Sequence, residues 1–189
     1  MLIKDLYLLF LECNAVCTDT RNIEQNSMFF ALKGPNFNAN SFALQALEKG
    51  SKYAVIDDDQ YYVDKRTILV EDSLKTLQDL SRYHRDQLDI PIIGITGSNG
   101  KTTSKELIQA VLSEKYNVSA TKGNLNNHIG VPLSLLNITK ETEIAIIEMG
   151  ANHAGEIEFL CEFSMPTLGL LTNIGKAHLE GFGDLETIV

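Results

Sequence analysis

The sequence predicts an α/β protein in two parts: a small N-terminal α/β domain, then a parallel-sheet domain of the P-loop type. Helical and extended patterns alternate along the 189 residues, as in layered α/β folds. Apolar segments at 91–95, 143–148 and 167–172 are almost continuous, which is typical of parallel strands covered on both faces. The first of them leads into a glycine-rich loop and a helical pattern, the context that a phosphate-binding loop requires.

The N-terminal part, residues 1–88, is predicted to combine short helices and strands. Its first residues indicate an amphipathic helix, and Asp5 and Glu12 around the apolar run argue against a signal peptide. A second helix is expected from Asn40 or Ser41 to Gly50. The composition typical of strands occurs in "SMFFALKG", "KYAVID" and "TILVED".

A longer helix is predicted at the end of this part, in "SLKTLQDLSRYHRDQL". One face of it, at helical spacing, carries Leu74, Leu77, Ser81, His84 and Leu88. We expect this face to pack inward, with His84 as part of it and not as a ligand. The domain boundary is predicted at Asp89, immediately before Ile90 and Pro91.

The second part, residues 89–189, alternates more regularly. Strands are predicted at 91–95, 117–121, 143–148 and 167–172, and helices at 101–114 and 155–163. The final "GDLETIV" begins like a helix with Asp184 as its N-cap, but it continues for only about a turn and a half. We therefore expect this domain to be incomplete in the chain.

Composition excludes several classes of function. The formal net charge of -9 argues against non-specific binding to nucleic acid or to an anionic membrane. No apolar run approaches the roughly 20 residues of a membrane span. The cysteines, Cys13, Cys17 and Cys161, are odd in number and lack zinc-like pairing, which indicates a reducing compartment and hence a cytoplasmic protein.

The loop "TGSNGKTT" is the strongest chemical signal. Its glycines allow backbone N–H groups to approach phosphate oxygens, and the following helix contributes its dipole. The loop is tighter than the common G-x-x-x-x-G-K-[ST] pattern, because Ile95 stands where that pattern has its first glycine. We expect Lys101 to reach the β- and γ-phosphates of ATP, and Thr102 to bind Mg²⁺. The predicted nucleotide-binding residues are Gly97, Ser98, Asn99, Gly100, Lys101, Thr102 and Thr103.

Two further groups of polar residues follow predicted strands. Glu148 ends the strand at 143–148, and Asn173 and His178 come after the strand at 167–172. Ligands of open parallel sheets bind outside the carboxyl ends of the strands, so these residues are expected to converge with the loop. A carboxylate there suits Mg²⁺, which prefers oxygen ligands.

Four stretches, in the same order as in the family, resemble the Mur ligases, the ATP-dependent amide-forming enzymes of peptidoglycan precursor synthesis. They are "TDTRNIEQNSMFFALKG", "TGSNGKTT", "KGNLNNHIGVPLSLL" and "IIEMGANHAGEI" with "TNIGKAHLEGFG". The form "GNLNNHIGVP" is typical of the member that adds D-alanyl-D-alanine to UDP-N-acetylmuramoyl-tripeptide. The phosphate loop alone is shared with folylpolyglutamate synthases.

The resemblance implies a different function for each part of the chain. Residues 1–88 would form the domain that binds the UDP-sugar-peptide, residues 89–189 would begin the central ATP-binding domain, and the C-terminal acceptor domain would be absent. The family also uses a carbamylated lysine, which we expect beyond Val189. In one departure from the family, Asn38, Ala39 and Asn40 replace an acidic-glycine-histidine run.

The resemblance also implies roles for individual residues. Lys101, Glu148 and His178 would be catalytic, and Thr102, Glu148 and His178 would hold the metal. The substrate-binding residues would be Thr20, Arg21, Lys33, Gly34, Asn124 and Asn127. A monomer is expected.

Three alternatives remain open from the sequence. A folate-type ligase would share the ATP site, although "GNLNNHIGVP" and the first motif argue against it. A regulatory P-loop NTPase would hydrolyse ATP without requiring a UDP-sugar. Finally, the 189-residue chain alone is expected to be inactive as a ligase and to act only as a binding module.

Overall fold

Two separate parallel sheets organise the chain. A computed structural model describes residues 1–175, and their contacts divide between a first unit, Met1–His84, and a second unit that begins at Arg85. The boundary expected from the sequence, at 88–89, falls shortly after this division. The predicted helix at Asp184 and the predicted site residue His178 lie outside the described residues.

The first unit contains a sheet in which all strand pairs are parallel. Its helices are α1 (Ile3–Phe10), α2 (Ala43–Glu48) and α3 (Ser73–Asp86). The last two residues of α3 belong to the second unit. The strands of the first unit are β1 (Val16–Cys17), β2 (Met28–Phe30), β3 (Lys33–Gly34), β4 (Phe37–Asn38), β5 (Tyr53–Ile56) and β6 (Thr67–Leu69). The strand order is β1-β2-β5-β6, and β3 and β4 form a separate antiparallel pair. Phe29 pairs with Ala54, and Ala54 with Thr67.

Both faces of this sheet are covered. Phe29, Ala54 and Ile56 belong to a buried cluster with residues of α2. Met28 and Phe30, which flank Phe29 in β2, are fully buried as well. On α3, His84 packs edge to face against Phe10, and its Nδ1 lies 3.2 Å from the Tyr7 hydroxyl. The prediction that His84 belongs to an inward-packed face is therefore confirmed.

The second unit carries a parallel sheet with helices around it. Its elements are β7 (Ile92–Thr96), α4 (Lys101–Ser113), β8 (Val118–Ala120), α5 (Gly130–Leu136), β9 (Ile144–Glu148), α6 (Glu156–Ser164) and β10 (Leu168–Leu171). The strand order is β10-β7-β9-β8, with every pair parallel. All carboxyl ends therefore meet at one edge of the sheet, where residues 97–100, 121–127, 149–150 and 172–175 follow the strands.

Alternation along β9 separates two layers of this unit. Ala145 and Ile147 belong to a buried cluster that includes residues of α5 and α6, such as Leu135 and Phe163. Glu148 projects to the other side, where Thr102 of α4 contacts it. This alternation is the reason that a strand with a continuous apolar run ends in a buried carboxylate.

The predicted α/β class with parallel sheets is confirmed, and the helices and strands predicted in the second part occur within a few residues of their expected bounds. The sequence reasoning did not predict α5. Its segment "GVPLSLL" begins with Gly130, contains Pro132 and is buried on nearly all sides, so it lacks the one-sided apolar pattern that indicates a helix. In residues 1–175, no helix is both long and apolar enough to cross a membrane.

Candidate active site

The loop after β7 has the conformation that its glycines permit. Gly97 has φ +132° and Gly100 has φ +80°, a region that residues with a Cβ adopt at a cost. A Cβ on Gly97 would clash with the Thr172 hydroxyl oxygen and lie 2.9 Å from the Asn173 carbonyl oxygen. Glycine is therefore needed at position 97 both for the backbone angle and for the close approach of the chain after β10.

Residues after β10 hold this loop in place. The backbone N–H groups of Ser98 and Asn99 donate to the Asn173 carbonyl oxygen and Oδ1 at 3.0 and 2.9 Å. The Thr172 hydroxyl donates to the Asn99 carbonyl at 2.6 Å, and the Gly175 N–H donates to Ser98 Oγ at 2.9 Å. Ser98 and Asn99, predicted as nucleotide-binding residues, thus use these groups to fix the shape of the loop.

The Ser98 and Asn99 N–H groups are already bonded, so the hydrogen-bond donors available to an anion are those at the amino end of α4. The first N–H groups of a helix have no intrahelical acceptor, and here they belong to the residues that start at Lys101. The Lys101 ammonium lies over the loop and donates to the Gly97 carbonyl at 2.5 Å. Thr102 and Thr103 are exposed on the first turn. This arrangement can bind phosphate through backbone donors, the Lys101 ammonium and the helix dipole.

Glu148 lies beside this turn and is almost completely buried, with 1% of its surface exposed. Its Oε1 accepts hydrogen bonds from the Thr102 hydroxyl at 3.2 Å and from Asn126 Nδ2 at 3.0 Å. Its backbone N–H donates to the Thr121 hydroxyl oxygen at 3.0 Å. Its other carboxylate oxygen, Oε2, is buried and has no hydrogen-bond partner among the described residues.

This orphaned oxygen tests whether the site fits Mg²⁺. A buried carboxylate oxygen without a partner is costly, and carboxylate oxygens are ligands that hard divalent cations prefer. The Thr102 hydroxyl gives its proton to Oε1, so its lone pairs are available to the same cation. Thr102 and Glu148 therefore fit the predicted metal role. Within residues 1–175, no cluster of three or more histidine, cysteine or acidic side chains suits a metal.

The asparagine loop between β8 and α5 places its asparagines in different surroundings. Asn127 Oδ1 accepts the N–H groups of Ile129 and Gly130 at 3.1 and 2.9 Å, which satisfies donors at the start of α5. Asn124 is exposed, and its carbonyl accepts the Asn126 N–H at 2.8 Å. The structure thus brings Asn126 to Glu148, whereas Asn127 accepts backbone N–H groups at the start of α5.

Lys105, like Asn126, was not predicted as a site residue from the sequence. It is 1% exposed, and its ammonium donates to the Thr121 carbonyl at 2.6 Å and pairs with Glu106 Oε1 at 2.9 Å. Thr121 in turn accepts the backbone N–H of Glu148. The spacing of the two lysines could have indicated Lys105 from the sequence, because Lys105 lies one helical turn after Lys101 and therefore on the same face of α4.

The substrate residues predicted in the first unit lie beyond neighbouring strands. Thr20 and Arg21 form part of a short 3₁₀ turn after β1, and Lys33 and Gly34 form β3 after β2. Arg21 is 86% exposed and pairs with Asp19 at 2.6 Å. Hydrogen bonds from the side chain and backbone of Arg21 lower the pKa of Asp19 to about 2. These residues share the carboxyl edge of their sheet, where α/β proteins bind ligands.

A partly buried polar network at the carboxyl end of β5 was also not predicted. Lys33 Nζ pairs with Asp57 Oδ1 at 2.9 Å, and the fully buried Asn40 donates to the same oxygen at 2.7 Å. The Asp57 N–H returns a bond to Asn40 Oδ1 at 3.0 Å, and the Ser73 N–H donates to Asp57 Oδ2. Burial by itself raises the pKa of Asp57, but hydrogen bonds from Lys33, Asn40 and Ser73 outweigh it and lower the pKa.

Comparisons with known proteins agree with this architecture. A family model described as the Mur ligase middle domain matches residues 95–189. The UDP-N-acetylmuramoyl-tripeptide--D-alanyl-D-alanine ligase of Bacillus subtilis is 43% identical over 177 residues, which are 93% of this chain and 39% of the relative. The enzyme of the same name from Escherichia coli is 42% identical over 175 residues, which are 93% of this chain and 38% of the relative.

Comparison with solved structures agrees with these sequence matches. A crystal structure of MurF from Acinetobacter baumannii superposes with a TM-score of 0.85 at 34% identity, covering 98% of this chain and 44% of the other. The MurF ligase from Thermotoga maritima, solved in complex with ADP, has a TM-score of 0.82 at 36% identity, covering 95% of this chain and 42% of the other. The chain therefore spans about two fifths of the length of the proteins that it resembles.

Proposed function

The chain belongs to the Mur ligase family, and from this premise we propose that it acts as part of a longer ATP-dependent ligase that joins D-alanyl-D-alanine to UDP-N-acetylmuramoyl-tripeptide. The observation that carries the proposal is the buried Glu148, whose free oxygen lies beside the phosphate-binding end of α4. The names of the similar enzymes supply the substrates. We place this reaction in the cytoplasm, with the ligase acting as a monomer.

The nucleotide end of the proposed site follows from the groups in the second unit. Lys101 and the first backbone N–H groups of α4 would bind the phosphates of ATP, and Thr102, Glu148 and His178 would hold Mg²⁺. When bound, the cation would neutralise negative charge on the phosphates of ATP. The protein itself contributes positioning, because Ser98 and Asn99 are already fixed by Asn173.

The chemistry we propose is activation of a carboxylate. The terminal carboxylate of the tripeptide attacks the γ-phosphorus of ATP, which releases ADP and forms an acyl phosphate. The amine of D-alanyl-D-alanine then attacks the acyl carbon, and phosphate leaves as the amide forms. Lys101 would stabilise the charge that develops on the transferring phosphoryl group, which is the main way in which such sites accelerate the reaction.

We propose that the first unit binds the UDP-sugar part of the substrate. Thr20, Arg21, Lys33 and Gly34 follow two neighbouring parallel strands, and the two cations can pair with a diphosphate. Asn124 and Asn127 of the second unit would lie near the peptide. In this proposal, Asn127 contributes the N–H donors of its side-chain amide, because its Oδ1 already accepts two backbone N–H groups at the start of α5.

Calorimetric titration of the 189-residue chain with UDP-N-acetylmuramoyl-tripeptide tests this proposal, with Mg-ATP titrated separately and circular dichroism confirming the fold. We expect the UDP-sugar-peptide to bind, and Arg21→Ala and Lys33→Ala each to weaken that binding. Lys75→Ala is the matched control, because Lys75 is an exposed lysine of the same unit paired with Asp79. A folded chain that binds Mg-ATP and ignores the UDP-sugar-peptide would favour a nucleotide-binding or NTPase function instead.

A further inference from the structure

The two carboxylate oxygens of Glu148 have different surroundings. Oε1 accepts two hydrogen bonds, from Thr102 and Asn126, whereas Oε2 has none among the described residues. A carboxylate can rotate about its last bond and exchange its oxygens. Something must therefore hold the group so that the same oxygen remains free, and the two donors on Oε1 are the groups in contact with it.

Asn126 is the more firmly held of these donors. Its backbone N–H donates to the Asn124 carbonyl at 2.8 Å, and its own carbonyl accepts the Gly150 N–H at 2.8 Å. Gly150 lies two residues after Glu148, so one contact of Asn126 reaches the backbone after β9 and another reaches the carboxylate at its end. Thr102, in contrast, is exposed on the first turn of α4.

Gly150 leaves the space in which the Asn126 amide lies. A Cβ at position 150 would stand 3.1 to 3.2 Å from the Cγ, Nδ2 and Oδ1 atoms of Asn126, which is closer than ordinary van der Waals contact. The φ angle of Gly150 is not among the positive ones, so alanine can adopt its backbone conformation. The methyl group of an alanine would thus act mainly by displacing the Asn126 amide.

We propose that Asn126 is a positioning residue for the cation site, and that Gly150 provides the space that keeps its amide on Glu148. By donating to Oε1, Asn126 would keep Oε2 available for the divalent cation. The Thr102 hydroxyl, which donates its proton to the same Oε1, would offer its oxygen lone pairs to that cation. Asparagine is required because the contact needs an N–H donor, which aspartate lacks. This inference rests on the proposed function only in assigning a cation to Glu148.

A double-mutant cycle on metal binding tests the role. Mn²⁺ binding to the 189-residue chain with ADP present would be measured by electron paramagnetic resonance for the original chain, Asn126→Ala, Gly150→Ala and the double variant. Loss of an outer hydrogen bond to a metal ligand commonly weakens metal binding by about 10- to 100-fold, and we expect this for each single variant. The double variant should bind like Asn126→Ala alone, because the methyl group added at position 150 then meets no amide.

Asn137→Ala is the matched control. Its amide also donates one hydrogen bond, to the Leu133 carbonyl at 2.9 Å, but it lies at the end of α5. Circular dichroism and urea unfolding would establish that every variant folds. The positioning role is overturned if Asn126→Ala binds Mn²⁺ like the original chain, if the two substitutions weaken binding independently, or if the original chain binds no Mn²⁺.

The ligase reaction separates this inference from the proposed function. The full-length protein carrying this chain would be supplied with ATP, UDP-N-acetylmuramoyl-tripeptide and D-alanyl-D-alanine, and amide formation would be measured. Absence of product together with the expected Mn²⁺ pattern would remove the ligase proposal and support the positioning role. Product formation with an unchanged Mn²⁺ affinity in Asn126→Ala would support the ligase proposal and overturn the positioning role.

Discussion

The Thr102 hydroxyl donates to Glu148 Oε1 over 3.2 Å, although 46 positions separate the two residues in the chain. Thr102 comes from the first turn after the phosphate-binding loop, and Glu148 ends the strand beside β7. The parallel sheet creates this contact because it places the carboxyl ends of β7 and β9 at one edge. The contact joins the predicted phosphate site to the predicted metal site.

Replacing Glu148 tests the metal assignment. We expect Glu148→Ala in the full-length protein to raise the Mg²⁺ concentration needed for half-maximal turnover about 10-fold or more, since it removes an anionic ligand. Glu148→Gln keeps the shape of the side chain and is expected to behave similarly, which separates loss of charge from loss of packing. An unchanged Mg²⁺ dependence in both variants would remove Glu148 from the metal site.

Lys101→Ala tests the phosphate assignment. In the full-length protein we expect turnover to fall about 100-fold or more, because removing one preorganised donor from a charged transition state commonly costs this much. Binding of UDP-N-acetylmuramoyl-tripeptide, measured by calorimetry, should be unchanged. Lys115→Ala serves as the control, because Lys115 is an exposed lysine just after α4. Near-normal turnover of the Lys101 variant would contradict the assignment.

The two loop glycines are expected to differ in their tolerance of alanine. Gly100 has φ +80° and a Cβ there would meet nothing within 4 Å, so Gly100→Ala should cost only the backbone strain of about 1–2 kcal/mol. Gly97→Ala adds a clash with Thr172 and should lower the free energy of unfolding more. Urea unfolding of both variants measures the difference, and equal losses would show that the chain after β10 can move away.

Sequence patterns were sufficient where one local segment contains the whole signal. The apolar strand β7, the glycines and Lys101 are contiguous, so both the loop and the start of α4 could be predicted. The contact of Asn126 with Glu148 could not, because it depends on how the loop after β8 folds beside the end of β9. Asp57 and Asn40 were missed for the same reason, since their contact joins segments that only the folded sheet brings together.

Lys105→Met tests whether the buried ammonium stabilises the second unit. Methionine keeps the length of the side chain but leaves the Thr121 carbonyl without its donor, and losing a partner of a buried polar group costs about 1–3 kcal/mol. We expect that loss in urea unfolding, with Lys115→Met within about 0.5 kcal/mol of the original chain. A more stable Lys105→Met would mean that the cost of burying the charge exceeds the value of its contacts.

Asp57→Asn should change how the stability of the chain depends on pH. Hydrogen bonds from Lys33, Asn40 and Ser73 lower the pKa of Asp57 below its ordinary value of 3.8 despite burial. A group whose pKa is lowered by folding stabilises the native state above its unfolded pKa, and this contribution is lost as the pH falls through the folded pKa.

We therefore expect Asp57→Asn to lower the free energy of unfolding at pH 7 by about 1–3 kcal/mol. Below about pH 4 the difference from the original chain should shrink, because protonation then removes the same charge from Asp57. Urea unfolding at a series of pH values measures this convergence, with Asp79→Asn as the control because Asp79 forms an exposed ion pair with Lys75. A difference that stays constant with pH would indicate that Asp57 acts through its shape and not through its charge.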